Sequence, residues 1–75
     1  MKDYAFVSFE KVSSRTPAPR VSIRIDEILY LDEIEQDPPA CLVGTGRYTW
    51  KITGTYLENL KIMRQACIDY VREIR

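Results

Sequence analysis

A chain of 75 residues, 45% hydrophobic and 29% charged, carries enough apolar material for one small core, which excludes a second domain or a catalytic domain with its own lid. Eleven Lys and Arg balance eleven Asp and Glu, so no global field draws the molecule to nucleic acid or to an anionic membrane. With no histidine, the Ser-His and Cys-His nucleophile pairs and the histidine-containing zinc sites are excluded, and two cysteines cannot complete a four-ligand structural site.

The start, Met1-Lys2-Asp3-Tyr4, lacks the basic-then-apolar order of a signal peptide, and no run of about 18 apolar residues could span a bilayer. A cytoplasmic chain that does not contact the membrane is expected. In a reducing compartment Cys41 and Cys67, each among apolar neighbours, read as two buried thiols, with neither a disulfide nor a metal implied.

Tyr4 to Val12 alternates as a strand, with Ala5, Val7 and Phe9 on one face and Phe6 and Ser8 on the other. Ser13-Ser14-Arg15-Thr16-Pro17-Ala18-Pro19 then breaks the ladder, because proline removes a donor and restricts the residue before it. From Arg20, alternation returns with Val21, Ile23 and Ile25 against Arg20, Ser22 and Arg24, the mark of a half-buried antiparallel strand. Ile28 to Leu31 reads as a short strand after the Asp26-Glu27 interruption. Asp32 to Pro39 reads as a solvated acidic turn closed by two prolines. Ala40 to Val43, the turn Gly44-Thr45-Gly46-Arg47, and Tyr48 to Thr53 form a hairpin. In it Tyr48, Trp50 and Ile52 are expected to face the core, and the two glycines to tolerate positive φ. The Gly-x-Gly lacks the third glycine, the Lys-Ser/Thr pair and the following helix of a phosphate loop.

Thr55-Tyr56-Leu57-Glu58 has the form of a capping box and opens a helix. At 100° per residue, Tyr56, Leu60, Met63, Cys67, Val71 and Ile74 share one stripe, flanked by Leu57, Ile68 and Tyr70, which is expected to pack on the sheet. The opposite side carries Glu58, Lys61, Gln65, Asp69, Arg72 and Glu73, together with Ile62. Because this apolar arc is wider than a small sheet needs, a homodimer through the helix is expected.

Paired carboxylates need burial or a cleft to shift their pKa. Asp26-Glu27 and Asp32-Glu33 read as solvated acids, so no catalytic residue is assigned. Charge is nonetheless segregated. Asp26, Glu27, Asp32, Glu33, Glu35 and Asp37 lie in a stretch with no basic residue, which leaves five acids against eleven bases elsewhere. Two readings follow: a solvated loop, or an acidic surface that steers a protein partner with a basic surface. A competing patch is Arg15, Arg20, Arg24, Arg47 and Lys51, near Tyr48 and Trp50, where phosphate contact and base stacking could combine.

Arg24-Ile-Asp-Glu-Ile-Leu-Tyr-Leu-Asp-Glu33, Cys41-Leu-Val-Gly-Thr-Gly-Arg-Tyr-Thr-Trp50 and Gly54-Thr-Tyr-Leu-Glu-Asn-Leu60 resemble two families. One is the LytTR-type DNA-binding domain of bacterial response regulators. The other is the FlbD-like group of small flagellar proteins, with similar short bacterial or phage proteins. The resemblance covers about half the chain, mostly at core and turn positions, and implies strand, hairpin and helix in that order. A LytTR-type domain continues into a further basic, histidine-containing segment, whereas this chain ends in its helix, so no contact residue is carried over. The expectation is a single α+β domain over residues 1–75, a four- or five-stranded mainly antiparallel sheet with one C-terminal helix on one face. Its expected role is a small non-enzymatic interaction or regulatory module of bacterial or phage origin, without cofactor, binding a protein partner through the acidic surface. The alternative is a small DNA-binding protein of LytTR-like type.

Overall fold

The computed structural model describes residues 4–74; Met1, Lys2 and Asp3, on which the leader reading rests, lie outside the described residues. In chain order come β1 (Phe6–Glu10), β2 (Arg20–Arg24), a 3-10 turn (Ile25–Glu27), β3 (Tyr30–Ile34), β4 (Ala40–Gly44), β5 (Thr49–Thr53) and α1 (Tyr56–Ile74). This is the expected α+β class, but with the sheet divided. β1 pairs with β2, and β3, β4 and β5 form an antiparallel meander. The two sheets are stitched where Lys11 bridges Ile52 and the Val12 amide donates to the Lys51 carbonyl at 3.0 Å. The Thr53 hydroxyl adds a bond to Glu10 Oε2 at 3.0 Å across the same seam, and strand twist lets the two inner faces turn toward one core.

The register explains which side chains enter it. Val7 lies opposite Ile23 and Phe9 opposite Val21. Across the meander Leu31, Val43 and Trp50 form one row, and Glu33, Cys41 and Ile52 the next. Val7, Phe9, Ile23, Cys41, Val43 and Ile52 are the buried cluster. Each large aliphatic or aromatic side chain so placed contributes about 1.5–3 kcal/mol relative to exposure. The expected alternation of β1 and β2 therefore holds, with Phe6 and Ser8 outward.

Several local expectations are corrected. β3 starts two residues late and runs through Asp32 and Glu33 to Ile34, so the turn is confined to residues 35–39. The ladder from Tyr30–Gly44 to Ile34–Ala40 gives these acids backbone partners, which outweighs their weak strand propensity. Neither Gly44 nor Gly46 has positive φ; among the described residues only Gly54 does, at 96°. Gly44 is needed for space, because a Cβ there would overlap the Tyr30 ring. That ring crosses β4 and its hydroxyl meets Thr49 Oγ1 at 2.7 Å. Tyr48 precedes β5 and is 62% exposed, so only Trp50 and Ile52 of the expected trio face inward.

The helix is also rotated from the expected stripe. Asn59 is its buried residue, Met63 and Ala66 pack on the core, and Tyr70 is half-buried. Cys67, Val71 and Ile74 face solvent, which corrects the reading of Cys67 as buried. Apolar side chains cover so much of the circumference that hydrophobicity leaves the rotation open. Polar bonds at the helix start select it, as described next.

Candidate functional site

The expected capping box is present. The Glu58 amide donates to Thr55 Oγ1 at 3.1 Å, and the Thr55 amide donates to Glu58 Oε1 at 2.9 Å. These bonds hold the Glu58 carboxyl below its ordinary range, the backbone bond at Thr55 being the main cause. Two further groups complete the junction. The Tyr56 amide donates to Glu33 Oε1 at 2.7 Å, and buried Asn59 donates through Nδ2 to the carbonyls of Thr53 and Thr55 at 2.9 and 3.0 Å. A negative carboxylate at a helix N-terminus is favoured by the unsatisfied amides and the dipole.

The six acids of the expected docking surface are therefore not equivalent. Asp26 accepts from Arg24 through both carboxylate oxygens, at 3.1 and 2.7 Å, and Glu27 lies 3.4 Å from the same guanidinium. Glu33 serves the helix start. Asp32, Glu35 and Asp37 are exposed, and their carboxylates make no hydrogen bond or ion pair among the described residues. Asp32 shares the outer sheet face with Lys51, on either side of Leu42, so folding mixes charges that the sequence separates.

The five cations are dispersed. Arg15 sits in the loop between β1 and β2, and Lys51 on the outer face of β5. Arg20 donates to the Ser8 hydroxyl and carbonyl at 2.9 and 3.2 Å. Arg24 stacks 3.5 Å from the centroid of the Tyr4 ring and is held by its two acids. The hydrogen bond to Asp26 raises the Arg24 pKa and lowers that of Asp26. The Arg47 guanidinium has no partner among the described residues.

Arg47 borders a groove between the open end of the β1–β2 hairpin and the β4–β5 turn. Phe6, Leu29, Tyr48 and Trp50 line it, with Arg24 and Arg47 at its rim. Phe6 is 52%, Leu29 70% and Tyr48 62% exposed. The Tyr48 and Trp50 rings lie 5.6 Å apart at 40°, within the range of favourable aromatic pairing. The turn is held by Thr45, whose amide donates to the Tyr48 carbonyl at 2.8 Å and whose hydroxyl accepts from the amides of Arg47 and Tyr48. Leu29 follows the 3-10 turn, its amide bonded to the Gly44 carbonyl at 2.8 Å. Tyr48 and Trp50 were visible in the sequence as neighbours of basic residues. Phe6 and Leu29 were not, because only the tertiary fold brings them alongside.

Cys41 is fully buried opposite Glu33. Its thiol approaches the Gly54 carbonyl at 3.5 Å, and burial pushes its pKa up. Among the described residues no group of three His, Cys, Asp or Glu could hold a metal ion, and no helix is long and apolar enough to cross a membrane. Compared with protein-family models, with curated proteins and with solved structures, the chain has no match.

Proposed function

We propose that this chain is a small non-enzymatic interaction module that takes apolar side chains of a protein partner into the groove of Phe6, Leu29, Tyr48 and Trp50. The observation that carries this reading is the exposure of these large side chains around one concavity. Exposed apolar surface of that kind marks interaction sites, and aromatic residues dominate binding energy when a partner desolvates them. Asp32, Glu35 and Asp37 supply the acidic surface expected from the sequence. They steer a basic partner and contribute more to the rate of encounter than to holding.

The test uses Trp50, the single tryptophan, as reporter. A partner captured from source cells by the full chain should shift Trp50 emission on binding. Tyr48→Ala and Leu29→Ser should speed its dissociation. Replacing Asp32, Glu35 and Asp37 by Ser should slow association and flatten its salt dependence. Unchanged kinetics in both sets would reject the reading.

The second reading, nucleic-acid binding, is supported by the unpartnered Arg47 beside exposed Tyr48, a pairing that could meet a phosphate and a base. Titration of duplex and single-stranded DNA over a range of salt separates the two. Phosphate neutralisation gives a linear fall of log affinity with log salt, and the absence of any binding at low salt would remove this alternative.

A further inference from the structure

One flank of α1, about 100° round from the positions packed on the core, has its own period and is exposed except at half-buried Leu60. Leu57, Leu60, Arg64, Cys67, Val71 and Ile74 recur at alternating steps of three and four residues, the spacing of an a/d seam, with Ile68 beside it. This seam is separate from the inward positions Asn59, Met63, Ala66 and Tyr70. Leu57 is 66% exposed, and Ile68, Val71 and Ile74 are each more than 40% exposed. A shallow hollow ringed by Cys67, Ile68, Val71 and Arg72 lies on it, a four-residue hole of the kind that receives a side chain from a facing helix.

We propose that this seam binds the same seam of a second copy, with the two helices antiparallel about a two-fold axis. The spacing calls for a helix as occupant, and self-pairing is favoured by the symmetry of the pattern. Reversed end to end, the seam places Leu57 against Ile74 of the second copy, Leu60 against Val71, and Arg64 against Cys67, then repeats these layers in reverse. Every position thus finds its complement in the same sequence, as a closed two-fold contact requires. Leu60 of the second copy is brought level with Val71, beside the hollow. Charge selects the direction. A parallel pair would set Arg64 on Arg64 in the centre of the seam, whereas the antiparallel pair offsets the two guanidinium groups and leaves each to reach solvent along its own stem.

The helix has 19 residues and so is about 28 Å long. A contact one helix long falls at the small end of specific interfaces, so a reversible dimer is expected. Because each helix is already folded against its own core, pairing does not carry the cost of helix formation.

Analytical sedimentation of the full chain, from about 1 μM to about 1 mM, is the test, with Leu57→Glu, Ile74→Lys and the double variant. An acid in the first turn and a base in the last both favour the helix, so neither single change threatens folding, and circular dichroism checks this. Wild type should dimerise, each single variant should weaken association at least about tenfold, and the double variant should recover it, because positions 57 and 74 face each other only in the antiparallel register. Monomeric wild type throughout the range would overturn the proposal. So would a dimer indifferent to both single changes, or single variants that fail to rescue each other.

Discussion

The two ends of α1 are built on different principles. At the start, Thr55, Glu58, Asn59 and Glu33 direct hydrogen bonds at individual amides and carbonyls. Towards the end, Cys67, Ile68, Val71 and Ile74 project apolar surface into solvent. The contrast is between a start aimed by polar bonds and a later stretch where Met63 and Ala66 meet the core while Cys67, Ile68, Val71 and Ile74 stay exposed. Hydrophobic periodicity therefore locates the helix without saying which way it faces.

Substitution can sharpen this contrast. The largest effect is expected at Asn59, where Ala would remove the buried Nδ2 donor that serves the carbonyls of Thr53 and Thr55, leaving Thr55 only the backbone amide of residue 59, and cost about 2–3 kcal/mol, read by denaturant unfolding. Gly54→Ala comes next. A Cβ there meets only ordinary contacts, but φ is 96°, and holding a side chain in the left-handed region costs about 1–2 kcal/mol. Thr55→Ala should cost about 1 kcal/mol through loss of the cap; unchanged thermal stability would reject the capping role. At the opposite end, Ile68→Ser should change monomer stability by no more than about 0.5 kcal/mol, measured at concentrations too low for association.

Acid titration separates the ends in another way. The folded pKa of Glu58 lies below its ordinary value of 4.5, so its bonds contribute fully above that value, and their contribution is lost as pH falls through the folded pKa. Asp26, lowered by its hydrogen bond to Arg24, acts in the same direction. Melting temperature should decline below about pH 4.5, and Glu58→Gln should flatten that decline. An identical pH profile in the variant would show that the carboxylate is not coupled to folding.

The capping box, the inward faces of β1 and β2, and the final hairpin were legible because each depends on neighbours within a few residues. The role of Glu33 was not, since it meets the Tyr56 amide from 23 residues away and its acidic surroundings resemble a turn. Asn59 was equally hidden, because a polar residue beside an apolar stripe looks solvated until its carbonyl partners are in place. Among candidate site residues, the exposed acids and Arg47 were readable as charges. The neutralisation of Arg24, the mixing of Asp32 with Lys51, and the assembly of Phe6 and Leu29 with Tyr48 depend on strand pairing between distant segments.

The unlike placement of the two thiols makes the molecule its own stopwatch. In the monomer Cys67 is open to an alkylating reagent, whereas Cys41 is enclosed and its reactive thiolate form is disfavoured by burial. One label should therefore be taken up at once and a second only when the sheet beneath the helix parts. The delay between them would time that opening without any introduced probe.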